Sequence, residues 1–437
     1  MSKAAHDAAG RVRHPDGEDK RRLRLRDIIG PGLITGASDD DPSGIATYSQ
    51  AGAQFGYGLG WTMLFSYPLM SVVQMISARI GRTTGHGIAG ILSRHYPKSL
   101  TYFVVALLLI ANTINIGADL GAMADATGLV SNAPSWMLLL GFAAFCALSE
   151  VFMGYRHYVR VLKWLTLALF AYVITLFLVD VPWGTALRGV IIPQFEINEV
   201  SLTMIVAILG TTISPYLFFW QASQEAEEVH NHQGEEPLKC DPLEGRVELK
   251  RIELDTLAGM GASNLVALAI VLTAAATLHP HGITDIQTSA QAAEALRPIA
   301  GDYAASVFAL GIVGTGLLAV PVLAGSAAYA FCEAIKRPVG LDRKPMRAKA
   351  FYGTIITATL IGALINFTPV NPIKALYWAA VINGVVAVPV MAVMMLISTR
   401  KSIMGVFTIT RGMTVLGWVA TAVMTSAAVA MFWTMLA

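Results

Sequence analysis

Asp39, Asp40 and Asp41 stand in a row inside the apolar stretch GLITGASDDDPSGIATYSQAG, residues 32–52, and Pro42 follows at once. Carboxylates are hard oxygen ligands for cations and ready carriers of protons. Proline has no N–H, so Pro42 leaves the carbonyl of Ser38 without its helical donor. The device recurs in ILGTTISPYLFFWQ, residues 208–221, where Pro215 frees the carbonyl of Thr211. Freed carbonyls and carboxylates that face one another make an oxygen cage suited to a cation. Successive side chains of a helix turn by about 100°, so three adjacent carboxylates cannot all face one ion. Asp41, beside the break, is assigned direct contact; Asp40 reaches the ion through water or faces a vestibule, and Asp39 bonds neighbouring backbone donors. The plainer reading of Asp41-Pro42 is a cap at a helix kink, which leaves three carboxylates at depth unexplained. For Ser214-Pro215-Tyr216 the plainer reading is a proline kink with a back-bonding serine.

The elements that must position these residues follow from composition. Of 437 residues 55% are hydrophobic and only 14% charged, with mean hydropathy +0.58, which is the composition of a polytopic membrane protein. Apolar runs of the length needed to cross a bilayer, about 20 residues, lie at 27–50, 59–79, 100–126, 135–153, 157–180, 201–222, 254–279, 301–333, 350–368, 373–398 and 412–436. An all-α protein of about eleven transmembrane helices is expected. Residues 1–26 read as a polar N-terminal tail without a secretory signal. With that tail inside, 28 of the 31 Lys and Arg fall on the cytosolic side and only Arg188, Arg297 and Lys374 on the other. This is the asymmetry that the positive-inside rule describes; it predicts a multi-pass protein of the inner (plasma) membrane with a cytosolic N-terminus. Cys146, Cys240 and Cys332 fall in or on the cytosolic half, where disulfides are disfavoured.

The two prolines are 173 residues apart and five spans separate the spans they break, so an inverted repeat of spans 1–5 and 6–10 with an added eleventh helix is the economical architecture. The chain then divides into a tail 1–26, a first half 27–182, an extracellular loop 183–200, a second half 201–398 with an acidic cytosolic loop 223–250, and 399–437 around the last helix. Interrupted helices at matching places in two halves point to a midplane site in a secondary transporter.

The first span carries a resemblance. GPGLITGASDDDPSGIATYSQAGAQFGYGLGW, from Gly30-Pro31-Gly32 through the AGAQFGY tail at 51–57, resembles the Nramp divalent-metal transporters, which share a GPG turn, an Asp-Pro-Gly-Asn break and that tail. Weaker likeness covers nearly the whole chain, and the fold it implies is the LeuT-like 5+5 inverted repeat. Carried over by position, Asp41 falls on the family's metal-binding aspartate and Thr211 on its carbonyl ligand, while Asp119 keeps an acidic position of the third span. The chain departs at Gly44, where the family has an asparagine ligand; at Ser214, where it has a methionine; at Tyr216, where it has a histidine linked to proton movement; and at Ala122, where it has a glutamate. Loss of a soft thioether in favour of oxygen turns preference from Mn²⁺ or Fe²⁺ toward Mg²⁺, and small residues leave room for the water that Mg²⁺ keeps. A magnesium-carrying branch of Nramp-related proteins is similar in this respect. The resemblance therefore implies uptake of Mg²⁺, with Mn²⁺ as a further substrate, by alternating access with weak or absent proton coupling. The metal set it implies is Asp41, Asp40, Ser38, Gly44, Thr211, Ser214, Tyr216 and Asn383, with Asp39 and Asp119 as proton or pathway residues. The alternative within the family is proton-coupled Mn²⁺ or Fe²⁺ symport.

Several residues keep two readings. Asp119, Asn112, Thr113 and Asn115 are either a polar pathway or interhelical hydrogen-bond glue. Asn383 in AAVINGVVAVP is either the tenth-span amide toward the ion or, slightly favoured, a packing contact. Gly311, Gly314 and Gly316 read as close-packing positions and His86 as part of an interfacial turn. Glu225, Glu227, Glu228, His230, His232, Glu235 and Glu236 read as a solvated acidic loop, with a regulatory metal as the weaker alternative. No G-x-x-x-x-G-K-[ST] loop, nucleophile elbow or zinc-protease helix is present, so no enzyme and no resident cofactor is expected. The basic residues follow topology and form no nucleic-acid patch. The expected partners are a divalent metal ion and the lipid bilayer, with the protein a monomer. Two rivals of other classes remain: a transporter of a small organic cation or amino acid, with Phe218, Phe219 and Trp220 lining its cavity, and a non-transporting metal sensor.

Overall fold

The computed structural model describes residues 30–131, 133–152, 168–231, 236–240 and 245–436, and the described residues are helical with no strand. In chain order the main helices are α1 (Pro31–Asp39), α2 (Pro42–Phe55), α3 (Trp61–Thr84), α4 (Ile88–His95), α5 (Lys98–Gly128), α6 (Ser135–Phe152), α7 (Phe170–Leu178) and α8 (Trp183–Ile191). They continue as α9 (Glu199–Thr212), α10 (Pro215–Asn231), α11 (Gly245–Thr277), α12 (Ala304–Ala334), α13 (Lys349–Ile365), α14 (Pro372–Ser398) and α15 (Arg411–Leu436). Eight stretches among the described residues are long and apolar enough to cross a membrane: α3, α5, α6, α9 with α10, α11, the stretch ending in α12, α14 and α15. The ninth expected span is the shorter α13. The first is divided into α1 and α2, and of the fifth only α7 lies in the described part, since 153–167 fall outside it, as does the tail 1–26.

Both expected breaks are present. Pro42 and Pro215 each open the second piece of a divided span, at the one helical position where a missing N–H costs nothing. Packing pairs recur when the first five spans are exchanged with the second five. α2 lies along α11 as α10 lies along α3, and α5 meets α13 as α12 meets α6, while α5 and α12 pack on each other. The two equivalent crossings use the same means of close approach. A Cβ at Gly52 would run into the Val271 carbonyl of α11, and one at Gly81 into the Ala222 carbonyl of α10. Backbones this near are the usual way helices associate where lipid provides no hydrophobic drive.

At the end of the bundle that holds the N-terminus of α1, three helices are tied by charge. Arg251 of α11 bonds Glu225 of α10 at 2.7 Å and Glu248 at 3.0 Å, and Arg82 of α3 reaches Glu248 at 3.1 Å. The segment expected to be a solvated acidic loop from 223 is therefore helical as far as Asn231, with Glu225 fully buried. The Arg251 guanidinium supplies the countercharge that the sequence pattern did not show. Asp255, one turn beyond Arg251, caps α1 from outside its own chain segment. Its carboxylate accepts from the N–H groups of Gly30, Gly32 and Leu33 at 3.1, 2.7 and 3.0 Å. Pro31 has no N–H, so all three orphan donors at that helix start are satisfied by one negative charge, the arrangement favoured by the helix dipole.

Candidate functional site

The site forms where the two breaks meet at mid-bundle. Asp40 ends α1 and Asp41 caps α2, its carboxylate accepting from the Gly44 N–H at 2.8 Å and the Ser43 hydroxyl at 2.6 Å. The other carboxylate oxygen of Asp41 lies 3.3 Å from the Tyr216 hydroxyl, which is also 3.1 Å from the Ser38 carbonyl that Pro42 leaves free. Tyr216 has one hydroxyl proton and so cannot donate fully to both. Asp41, Ser38 and Tyr216, drawn from α1, α2 and α10, are thus brought into one cluster of oxygens.

Asp39 and Asp40 turn instead toward α11, where the Ser263 hydroxyl lies 2.7 Å from Asp39 and 3.1 Å from Asp40. The expectation that Asp39 bonds backbone donors is not met, for a physical reason: it sits in the last turn of a helix, where the orphan groups are carbonyls. One proton serves two carboxylates here, and the second oxygen of Asp39 has no partner.

At the second break the carbonyl of Thr211 is not open. The Ser214 hydroxyl lies 2.7 Å from it and 2.9 Å from the carbonyl of Gly210. The Thr211 hydroxyl donates to the Tyr48 hydroxyl at 2.9 Å, which ties α9 to α2. Gly44 presents only its N–H, already given to Asp41; a Cβ there would come within 3.2 Å of the Tyr48 ring. Asn383 is turned to α5, its amide oxygen accepting from Asn115 at 2.9 Å while its own NH₂ has no partner. Asn112 donates to the Leu323 carbonyl at 2.8 Å, a helix-to-helix contact as the packing alternative expects. Asp119 is near enough to Asp41 and Tyr216 for its charge to act on both, and neither of its oxygens has a hydrogen-bond partner among the described residues.

Electrostatically the cluster is one-sided. Asp39, Asp40, Asp41 and Asp119 are 1%, 5%, 2% and 0% exposed, and no ion pair among the described residues involves any of them. Burying one unpaired charge costs several kcal/mol, so four carboxylates with no cationic side chain call for a positive charge from outside the chain. No three His, Cys, Asp or Glu among the described residues converge in the manner of a fixed metal centre. Such donors as do converge are one carboxylate, one carbonyl and one phenol.

Sequence reasoning missed Ser263, Tyr48 and Met123. Tyr48 lies seven residues after Asp41, two turns along the same helix face, and could have been found from that period. Ser263 is a lone serine in an apolar helix and gave no signal. Met123 of α5 and Pro42 both border Gly316 of α12, where an added Cβ would meet each of them. Phe218, Phe219 and Trp220 are buried to within 1% and belong to the core, with Trp220 edge-on to Tyr329.

Comparison with known proteins was made against this geometry. The family model described as natural resistance-associated macrophage protein-like (Nramp) matches residues 32–434. A divalent metal cation transporter, MntH, of Klebsiella pneumoniae (strain 342) is 25% identical over 427 residues, covering 96% of each chain. Among solved structures, the Eremococcus coleocola manganese transporter superposes with TM-score 0.71 at 16% identity, over 95% of this chain and 87% of that one. A nucleobase-cation-symport-1 family transporter in a closed conformation superposes with TM-score 0.52, over 93% and 92%. The fold is thereby the LeuT-like inverted repeat with broken first and sixth spans.

Proposed function

Since the chain belongs to the Nramp family, we propose that it carries a divalent metal cation, the cargo that the Klebsiella relative's name gives for that protein, and that it does so by alternating access through the membrane. The observation that supports this most is the group of four buried carboxylates without a cationic partner around two facing helix breaks. Asp41 binds the ion directly, with the Ser38 carbonyl and Tyr216 hydroxyl beside it, and the Thr211 carbonyl joins once Ser214 releases it. Asp40 and Asp39 hold part of the ion's water, Gly44 leaves that water room, and Asp119 and Asn383 line the route beyond. The protein is read as a monomer of the plasma membrane with its N-terminus and the Arg82–Arg251 end in the cytosol. The inside-negative potential supplies about 2.3 kcal/mol per charge per 100 mV, twice that for a divalent ion. That drives uptake with little or no proton movement.

Mg²⁺ is the proposed cargo, because every donor converging on the break is oxygen. A second reading, proton-coupled Mn²⁺ transport, draws support from the manganese cargo named for the Eremococcus neighbour and from the Met123 thioether, which borders Gly316 as Pro42 does. Flux into proteoliposomes holding Mg²⁺-, Mn²⁺- or pH-sensitive dyes separates the two. Mg²⁺ signal with flat lumenal pH, and a tilt toward Mn²⁺ in Ser214→Met, supports the first; Mn²⁺ signal with acidification supports the second. No divalent flux under an inside-negative potential sinks both.

A further inference from the structure

A polar cavity of about 460 Å³ lies at the end of the bundle assigned above to the cytosol, between α4, α10 and the segment joining α12 to α13. Its walls carry Arg94, Lys336, Arg337 and Arg343, with His86 and His230 across from one another at 6.5 Å between rings. Two carboxylates also face it, and both are already committed to backbone donors. Glu333 accepts from the N–H groups of Gly87 and Gly90 at 3.0 and 2.9 Å. Glu227 accepts from Asp342 N–H at 3.0 Å and Leu341 N–H at 3.3 Å and from the Tyr329 hydroxyl. None of the four basic side chains makes an ion pair among the described residues. Four basic side chains against two carboxylates leave the cavity a surplus of positive charge.

Two further observations point into the same space. Ser223, on the face of α10 that also bears Glu227 and His230, is 2% exposed and lines the cavity, and its hydroxyl has no partner among the described residues. Lys336 is the one described non-glycine residue with positive φ, +57°, a conformation that is uncommon and costs energy outside glycine and asparagine. It turns the Lys336–Arg337 pair at the cavity rim.

We propose that this cavity binds a phosphate-bearing anion, with Arg94, Arg337 and Arg343 as the charged donors and the Ser223 hydroxyl at its floor. Guanidinium groups suit phosphate oxygens because they donate two parallel bonds to it. Such a ligand bridges α10, the cytosolic half of the broken sixth span, to α4 and the α12–α13 segment, so its occupancy acts on the moving half of the transport site. His86 stays neutral, since burial first, and the neighbouring Arg94 charge next, push its pKa down to about 4, and its Nε2 accepts from the Arg94 guanidinium, which it helps to position. The phosphate comes from a soluble nucleotide or from an anionic lipid headgroup, and the chemistry is shared.

The test uses the purified full-length protein. Calorimetric titration with inorganic phosphate and with adenosine triphosphate in metal-free buffer probes the soluble source. The thermal midpoint in nanodiscs of phosphatidylglycerol against phosphatidylcholine probes the lipid. Binding or stabilisation in either arm is expected, weakened about tenfold by the pair Arg337→Ala and Arg343→Ala, the loss of one or two charge-assisted contacts. Arg337→Lys with Arg343→Lys keeps the charge and retains most of it, which separates lost contacts from lost folding. Ser223→Ala weakens it several-fold. No response to phosphate, nucleotide or anionic lipid overturns the proposal, as does affinity unchanged in the double alanine variant.

Discussion

The two helix breaks share a proline and a freed carbonyl, yet they are finished in different ways. At the first, Asp39, Asp40 and Asp41 concentrate negative charge that no cationic side chain balances. At the second there is no charge, and the Ser214 hydroxyl sits on the Thr211 carbonyl where an ion would sit. The first break is thus left unsatisfied without a cation, while the second closes on itself. Under the proposed function the difference divides the work: carboxylates of one half would draw the ion in, and a serine rotamer of the other would decide when the opposite carbonyl takes part.

The largest effect expected from breaking this comparison comes from the charged side. Asp41→Asn keeps an acceptor for Gly44 and Ser43 but removes the charge, so divalent flux into proteoliposomes should fall at least about a hundredfold, the equivalent of about 3 kcal/mol, while the thermal midpoint barely moves. Near-normal flux would place the ion elsewhere. Next comes the cap that holds α1 at the end opposite its carboxylates. Asp255→Ala strips three backbone donors of a charged acceptor, worth about 1.5–3 kcal/mol per bond. Amide exchange at Gly32 and Leu33 should then accelerate by tenfold or more, and unchanged protection would mean that α1 is held by packing alone.

Tyr216→Phe sharpens the link between the breaks, since this hydroxyl alone touches both Asp41 and the Ser38 carbonyl. Metal affinity measured by calorimetry should drop about tenfold, consistent with one buried hydrogen bond of about 1–1.5 kcal/mol. No change would make the tyrosine a spacer. The smallest effect belongs to the self-closed side. Ser214→Ala frees the Thr211 carbonyl permanently, and affinity should rise by a few-fold. If it falls instead, the serine is a ligand and not a lid.

The elements and the site were legible to different degrees. Apolar runs and two prolines predicted the spans and both breaks, because helix length and proline chemistry are local matters that a single segment reports. The place of Asp41 beside Pro42 followed from the same local logic. Glu225 was read as a solvated acidic residue because its countercharge, Arg251, is 26 positions away, and Asp255 gave no hint that it caps a helix more than 220 residues earlier.

By itself the sequence determined a many-spanned helical protein, two broken spans in matching halves, and a carboxylate at the first break. All of these depend on which residues are neighbours along the chain. Only the tertiary structure decided that Asp39 and Asp40 turn to Ser263, that Tyr216 joins the two breaks, and that Asn383 pairs with Asn115. Each of those is a meeting of helices distant in sequence, and hydrogen-bond partners a few ångströms apart are chosen by how the helices pack, which no single segment encodes.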